Sequence, residues 1–174
     1  MSIAENLKKI KSKLGDKVTL VAVSKYSTDE EVMEAYEAGH RDFGENKAQD
    51  LKRRADELPK DIRWHFIGHL QRNKVKYIAD FIHMIHAVDS LKLLKEINKR
   101  AKNAGRKIPC LLQMHIASEE SKFGLDRDEI LEMVRDSALT EFENVEITGL
   151  MGMATNTENT ETIRKEFIVL KGLF

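Results

Sequence analysis

The sequence predicts an α/β fold of the (β/α)8 TIM-barrel type, entered through an N-terminal helix, with about six β/α units in the chain. Three observations predict it. The stretch Val18-Thr19-Leu20-Val21-Ala22-Val23-Ser24-Lys25 is apolar or β-branched without alternation, as in a strand buried on both faces of a parallel sheet. Downstream, short apolar runs alternate with helical patterns, and strand starts are spaced by roughly 20 to 35 residues, the size of a β–α unit. The place after the first strand, where a dinucleotide-binding fold needs G-x-G-x-x-G, holds Ser24-Lys25-Tyr26-Ser27-Thr28 and no glycine. No Gly-x4-Gly-Lys-Ser/Thr phosphate loop occurs either, so a barrel is favoured over an open doubly wound sheet.

The elements follow in order. Ile3, Leu7, Ile10 and Leu14 recur at helical spacing, and Gly15 ends that helix. After the first strand, Thr28-Asp29-Glu30-Glu31 has the form of a capping box. Val32, Met33, Tyr36 and Ala38 give its helix an apolar side, and Gly39 can close it in a left-handed conformation. Arg41 to Gly44 reads as a second strand and Asn46 to Leu58 as a helix stopped by Pro59. Ile62 to Ile67 is a third strand, Asn73 to Ala79 a short helix, and Phe81 to Val88 a fourth strand. Ser90 can cap a helix carrying Leu91, Leu94, Ile97 and Ala101 and ending at Gly105. Pro109 to Ile116 is a fifth strand with proline first, where no ladder donor is lost. Asp126 and Glu129 open another helix, Val145 to Met151 is a sixth strand, and Ile163, Phe167, Leu170 and Phe174 mark a last helix.

The 174 residues are enough for one domain with a core, spanning 1–174. Hydrophobic residues make up 41% and charged residues 33%, which favours a folded chain over a disordered one. Lys+Arg and Asp+Glu are both 29, so the formal net charge is zero and no nucleic-acid or membrane surface is indicated. Cys110 is the only cysteine, which excludes an internal disulfide and fits a reducing cytoplasm. The N-terminus lacks signal-peptide character, and no apolar run approaches the roughly 20 residues that cross a bilayer.

Polar residues gather just after the strands: Lys25, Gly44-Glu45-Asn46, Gly68 to Asn73, Asp89, Ser118 to Gly124, and Met151-Gly152-Met153. In a barrel these converge on one mouth, where such folds place their chemistry. Ala22-Val23-Ser24-Lys25, Phe43-Gly44-Glu45-Asn46, Trp64-His65-Phe66-Ile67-Gly68-His69-Leu70-Gln71-Arg72-Asn73-Lys74, Ser121-Lys122-Phe123-Gly124 and Gly149-Leu150-Met151 together closely resemble the pyridoxal phosphate homeostasis protein family. That family resembles the N-terminal barrel of alanine racemase. The resemblance implies that pyridoxal 5'-phosphate is carried as a Schiff base on Lys25, the one lysine used, and that Asn46, His65 and Met151 lie near the cofactor ring. A lysine must be neutral to attack the aldehyde, and a desolvated strand-end ammonium suits that need. Strand alternation sends His65 inward and Trp64 to the helix layer.

The resemblance also implies a role in intracellular cofactor homeostasis, with pyridoxal-phosphate-dependent apoenzymes as candidate recipients. In this family a seventh strand with a Ser/Gly-rich turn and an eighth with an arginine complete the phosphate and pyridine-nitrogen sites. The chain is therefore expected to be incomplete at its C-terminus: a monomer if complete, an edge-paired oligomer if truncated. Three other readings compete. An amino-acid racemase needs a second acid/base opposite Lys25, and Tyr26, Tyr36 and Tyr77 are not placed there. A metal centre could use His65 with His69 or His83 with His86, but the first pair straddles a strand end and the second is expected to alternate across a strand. Lys52-Arg53-Arg54 and Arg72 to Lys76 could bind RNA, but no aromatic residues interleave, and a solvated helix face accounts for them.

Overall fold

The computed structural model describes residues 2–117, 123–135, 139 and 142–174. Its order is α1 (Ile3–Leu14), β1 (Ala22–Val23), α2 (Asp29–Glu37), β2 (Asp42–Glu45), α3 (Ala48–Glu57), β3 (Arg63–Phe66), a 3-10 helix (Arg72–Tyr77), β4 (Met84–Val88), α4 (Leu91–Asn103), β5 (Ile108–Met114), α5 (Arg127–Arg135), β6 (Val145–Gly152) and α6 (Thr160–Leu173). The six strands form one parallel sheet in the order β1-β2-β3-β4-β5-β6. Sequential neighbours joined by helical crossovers are the arrangement of a (β/α) barrel wall. Among the described residues β1 and β6 have one neighbour each, so the sheet is open rather than closed.

The capping signals act as the sequence implies. Thr28 Oγ1 accepts from Glu31 N while the Glu31 carboxylate accepts from Thr28 N, and Ser90 Oγ accepts from Leu93 N. Asp126 and Glu129 form the same reciprocal box before α5. Each satisfies backbone donors that the first helical turn leaves without partners. The core lies between the sheet and its helices, built from Phe43, Trp64, Phe66, Ile85, Cys110 and Leu112 on the strands and Leu51, Leu94, Ile97 and Ile130 on the helices.

The first strand departs from expectation. Only Ala22 and Val23 pair with β2, and Val18 and Val23 are 53% and 56% exposed. A run buried on both faces requires neighbours on both sides, and β1 sits at an edge with one. The helix read over 73–79 is a 3-10 turn, and Pro109 is the second residue of β5 rather than its first.

Leu94 is fully buried, whereas Val134 is 57% exposed. Leu94→Ala is expected to cost about 2–5 kcal/mol, and Val134→Ala no more than about 0.5 kcal/mol. Chemical denaturation of the two variants beside the parent checks this, and equal costs would contradict the assigned core.

Candidate functional site

Register fixes which side chains share a face. Val23 pairs with Gly44, Gly44 with His65, and His65 with Met84. Beyond the irregularity between β4 and β5, Leu111 pairs with Gly149 and Gln113 with Met151. Side chains of paired residues point to the same side, and successive ones alternate. The Val23–Gly44–His65–Met84 layer therefore lies on the inner face, away from the helices. Past the strand ends, Lys25 lies in a turn and Asn46 in a bend, while His86, two residues after Met84 on β4, returns to the inner face beside His65. Of the four residues singled out for cofactor binding, His65 and Met151 lie on strands, and Lys25 and Asn46 follow the ends of β1 and β2. Lys25 and Asn46 each come two residues after the Val23–Gly44 pair, and His65 on β3 is separated from Met151 on β6 by two strands.

His65 is buried and points inward, while Trp64 is buried on the helix side against Phe43, with ring centroids 5.9 Å apart. That is the register read from the sequence. Lys25 is exposed, so the desolvation expected of it is not present; its amine lies over the Tyr26 ring at 5.1 Å. Asn46 and Met151 are half-buried. Gly68 makes room for Asn46: a Cβ there would stand 2.6 Å from Asn46 Cβ. Within the motif Ser121-Lys122-Phe123-Gly124, Ser121 and Lys122 lie outside the described residues, as does the 118–120 stretch before it. Phe123 stacks on His69 with centroids 4.1 Å apart, and His69 bonds the Asp89 carboxylate at 2.8 Å.

Two charged networks surround this face. Below it, Asp42 accepts from Arg63 through both oxygens and from His65 Nε2 at 3.1 Å, and His65 Nδ1 lies 2.9 Å from His86 Nε2. Burial opposes the Asp42 charge, but hydrogen bonds from Arg63 and His65 prevail and hold the carboxyl at about 2. Burial, with His65 and His83 beside it, pushes His86 down to about 4. Burial also lowers His65. The tautomers follow. A carboxylate only accepts, so His65 Nε2 carries the proton, and the Nδ1 of neutral His65 then accepts from His86 Nε2–H. These groups, with Thr19, Val21 and Met84, line a cavity of about 270 Å³.

Asp42, His65 and His83 also offer metal-ligand atoms within 4.8 Å of one another. The sequence pairing was different, and the alternation argument against His83 and His86 fails. His83 precedes β4, and both rings pack on His65 with centroids 5.1 Å away. The Asp42 oxygens are already occupied by Arg63, so its negative charge is matched by a protein cation.

The second network lies on the helix side. Glu45 accepts from Ser24 Oγ at 2.6 Å and pairs with Arg54 Nη1. Arg54 also donates to Ser24 O at 2.9 Å, to Ser27 O, and through Nε to Asp29 at 2.9 Å. The Arg54 and Glu45 side chains are only 8% and 3% exposed. The sequence reading placed Arg54 on a solvated face with Lys52 and Arg53, and the structure corrects it. Arg53 does pair outward with Asp29 and Glu57, but Arg54 turns inward. The signal was present: Ala48, Leu51 and Arg54 recur at threefold spacing and mark the buried stripe of α3.

A family model described as the N-terminal domain of alanine racemase matches residues 1–173. An alanine racemase from Clostridium difficile superposes with a TM-score of 0.75 at 15% identity, covering 97% of this chain and 46% of that one, a likeness of fold. A Helicobacter pylori pyridoxal phosphate homeostasis protein is 38% identical over 159 residues, covering 90% of this chain and 71% of that protein. The chain belongs to this family, within the alanine racemase N-terminal fold. The structure of PipY from Synechococcus elongatus, with pyridoxal phosphate bound, superposes with a TM-score of 0.86 at 31% identity, covering 99% of this chain and 80% of that one.

The histidine network carries a pH prediction. The folded chain leaves His86 unprotonated down to about 4, while the unfolded chain takes up its proton near 6.5. Stability is therefore full above 6.5 and lost as the pH falls toward 4. Asp42 acts the same way in a lower window, its contribution present above 3.8 and lost as the pH falls through about 2. His86→Gln keeps an N–H donor and removes the titration. The variant should reduce the slope of stability between pH 6.5 and 4 by up to about 1.4 kcal/mol per pH unit, the limit for one proton. An unchanged slope in urea unfolding across that range would contradict the assignment.

Proposed function

We propose that this protein holds pyridoxal 5'-phosphate covalently at Lys25 and serves its intracellular homeostasis. The observation that carries the reading is the placement of Lys25. It stands exposed two residues past β1, with Asn46 just past the neighbouring β2, in a sheet that superposes on the cofactor-bound PipY structure. The donor set suits the group. The Lys25 amine, once deprotonated, adds to an aldehyde carbon. With an aldehyde bound there, Lys25 would supply the nucleophile, and the carbonyl oxygen would leave as water with no change of oxidation state. When bound, the cofactor supplies the aldehyde and an electron-accepting ring. Asn46 would supply hydrogen-bonding groups, Met151 an apolar contact and His65 a buried imidazole.

Delivery to pyridoxal-phosphate-dependent apoenzymes in the cytoplasm belongs to the same reading. Among the described residues, no helix is long and apolar enough to cross a membrane. Burial raises the Cys110 thiol to about 12, which leaves it unreactive. Racemisation, the alternative, needs a second acid/base across from Lys25. Tyr36 is instead engaged with Asp61 at 2.7 Å, and Tyr77 lies against Lys74 and Lys76. Holding the cofactor rather than racemising an amino acid is the reading that the family name supports.

Incubation with pyridoxal phosphate, borohydride reduction and peptide mapping tests the site. The label is expected on Lys25 and lost in Lys25→Ala. A label on Lys47, the exposed lysine beside Asn46, or on Lys122 would overturn the assignment.

A further inference from the structure

The strand that carries Lys25 is weakly held by its own ladder. Only Ala22 and Val23 pair with β2, and Lys25 and Tyr26 are exposed. What fixes the next few residues is a set of bonds from elsewhere. Ser24 N donates to Gly44 O at 3.0 Å, and Ser27 N donates to Ser24 O at 2.9 Å, closing a turn around Lys25 and Tyr26. The carbonyls at both ends of that turn, Ser24 O and Ser27 O, accept from one guanidinium, that of Arg54. Glu45 neutralises the guanidinium and accepts from Ser24 Oγ, while Asp29 at the start of α2 accepts from Arg54 Nε. One side chain from α3 thus ties both ends of the lysine turn to β2 and to the helix that follows.

We infer that Arg54, held by Glu45, is a positioning residue for Lys25, locking the backbone of its turn and so limiting where the amine can reach. The inference rests on the reading that Lys25 carries the cofactor. A lysine side chain has four rotatable bonds, so where its amine spends its time depends on how firmly its Cα is held. Reaction at a placed amine gains from the orientation already fixed in the fold. Only a planar fork reaches two carbonyls and two carboxylates at once. A lysine at position 54 would supply the charge as a single point and lose that geometry.

The test uses the full chain with Arg54→Lys, with Arg54→Met/Glu45→Gln to remove both buried charges together, and with Leu94→Ala as a remote destabiliser. The first measurement needs no cofactor: hydrogen exchange at the Ser27 amide. Both clamp variants are expected to speed it by about tenfold or more, the equivalent of one charge-assisted bond at roughly 1.5–3 kcal/mol, whereas Leu94→Ala leaves it near the parent rate once corrected for global stability. The second is the pyridoxal phosphate concentration needed for half-maximal borohydride trapping on Lys25, read well below each melting temperature. It should rise about tenfold in the clamp variants by the same conversion and stay unchanged in Leu94→Ala. Parent label on a lysine other than Lys25 would overturn the underlying reading and this one with it. Parent label on Lys25 with unchanged Ser27 exchange, or with clamp variants trapping like the parent, would overturn the clamp alone. Should Arg54→Lys not fold, the double variant, which strands no charge, decides by the same two readouts.

Discussion

The buried Glu45–Arg54 ion pair is the interaction on which the Lys25 end of the sheet depends. Two charges withdrawn from water cost several kcal/mol each, and their attraction compensates only when the remaining donors and acceptors are also used. Here they are. Arg54 spends Nε, Nη1 and Nη2 on Asp29, Glu45 and two carbonyls, and Glu45 takes a serine hydroxyl as well. Such a pair does little for net stability compared with apolar groups of the same size. What it contributes is geometric: it allows one arrangement of β1, β2, α2 and α3 and penalises others, because each alternative strands a buried charge.

Strand β2 is where the two sides of the sheet meet. All four of its residues, Asp42 to Glu45, are buried. Asp42 and Gly44 face inward, and Phe43 and Glu45 face the helices. Each carboxylate has its own arginine, Arg63 for Asp42 and Arg54 for Glu45. Gly44 is confined as well, since a Cβ there would stand 3.1 Å from Ile67 and 3.2 Å from Val21. The strand beside Lys25 is thus held by charge on both faces and by close packing at its centre.

Much of this was legible in the sequence because it depends on local rules. Capping boxes at Thr28 and Asp126 and a serine cap at Ser90 are local hydrogen-bond devices, and they formed as written. The alternation of apolar runs with helical stripes carried the β/α order, and strand parity carried the opposite facing of Trp64 and His65. What local rules could not carry was neighbourhood. The apolar run from Val18 resembles a central strand, but burial on both faces depends on a partner strand. The approach of His83 and His86 to one ring depends on where β4 begins. Arg54 was hidden by its company, since Lys52 and Arg53 are solvent-facing. Its spacing from Leu51 was the better guide, because on a helix position outranks polarity in deciding which side chain turns inward.

The two networks divide the labour around Lys25. The helix-side network holds backbone, since its terminal acceptors are carbonyls of the turn itself. The inner-face network holds side chains, and burial keeps its imidazoles neutral. Were His65 and His86 protonated, the cavity they line would carry two added positive charges with a single carboxylate, Asp42, already matched by Arg63. In the neutral state the same groups present fixed dipoles, directed from His86 through His65 to Asp42, with the tautomers set by the one member that can only accept. A directed chain of neutral donors is a stiff floor that adds no charge. The described residues therefore act on Lys25 mainly by placing it, from the helix side through the two carbonyls of its turn.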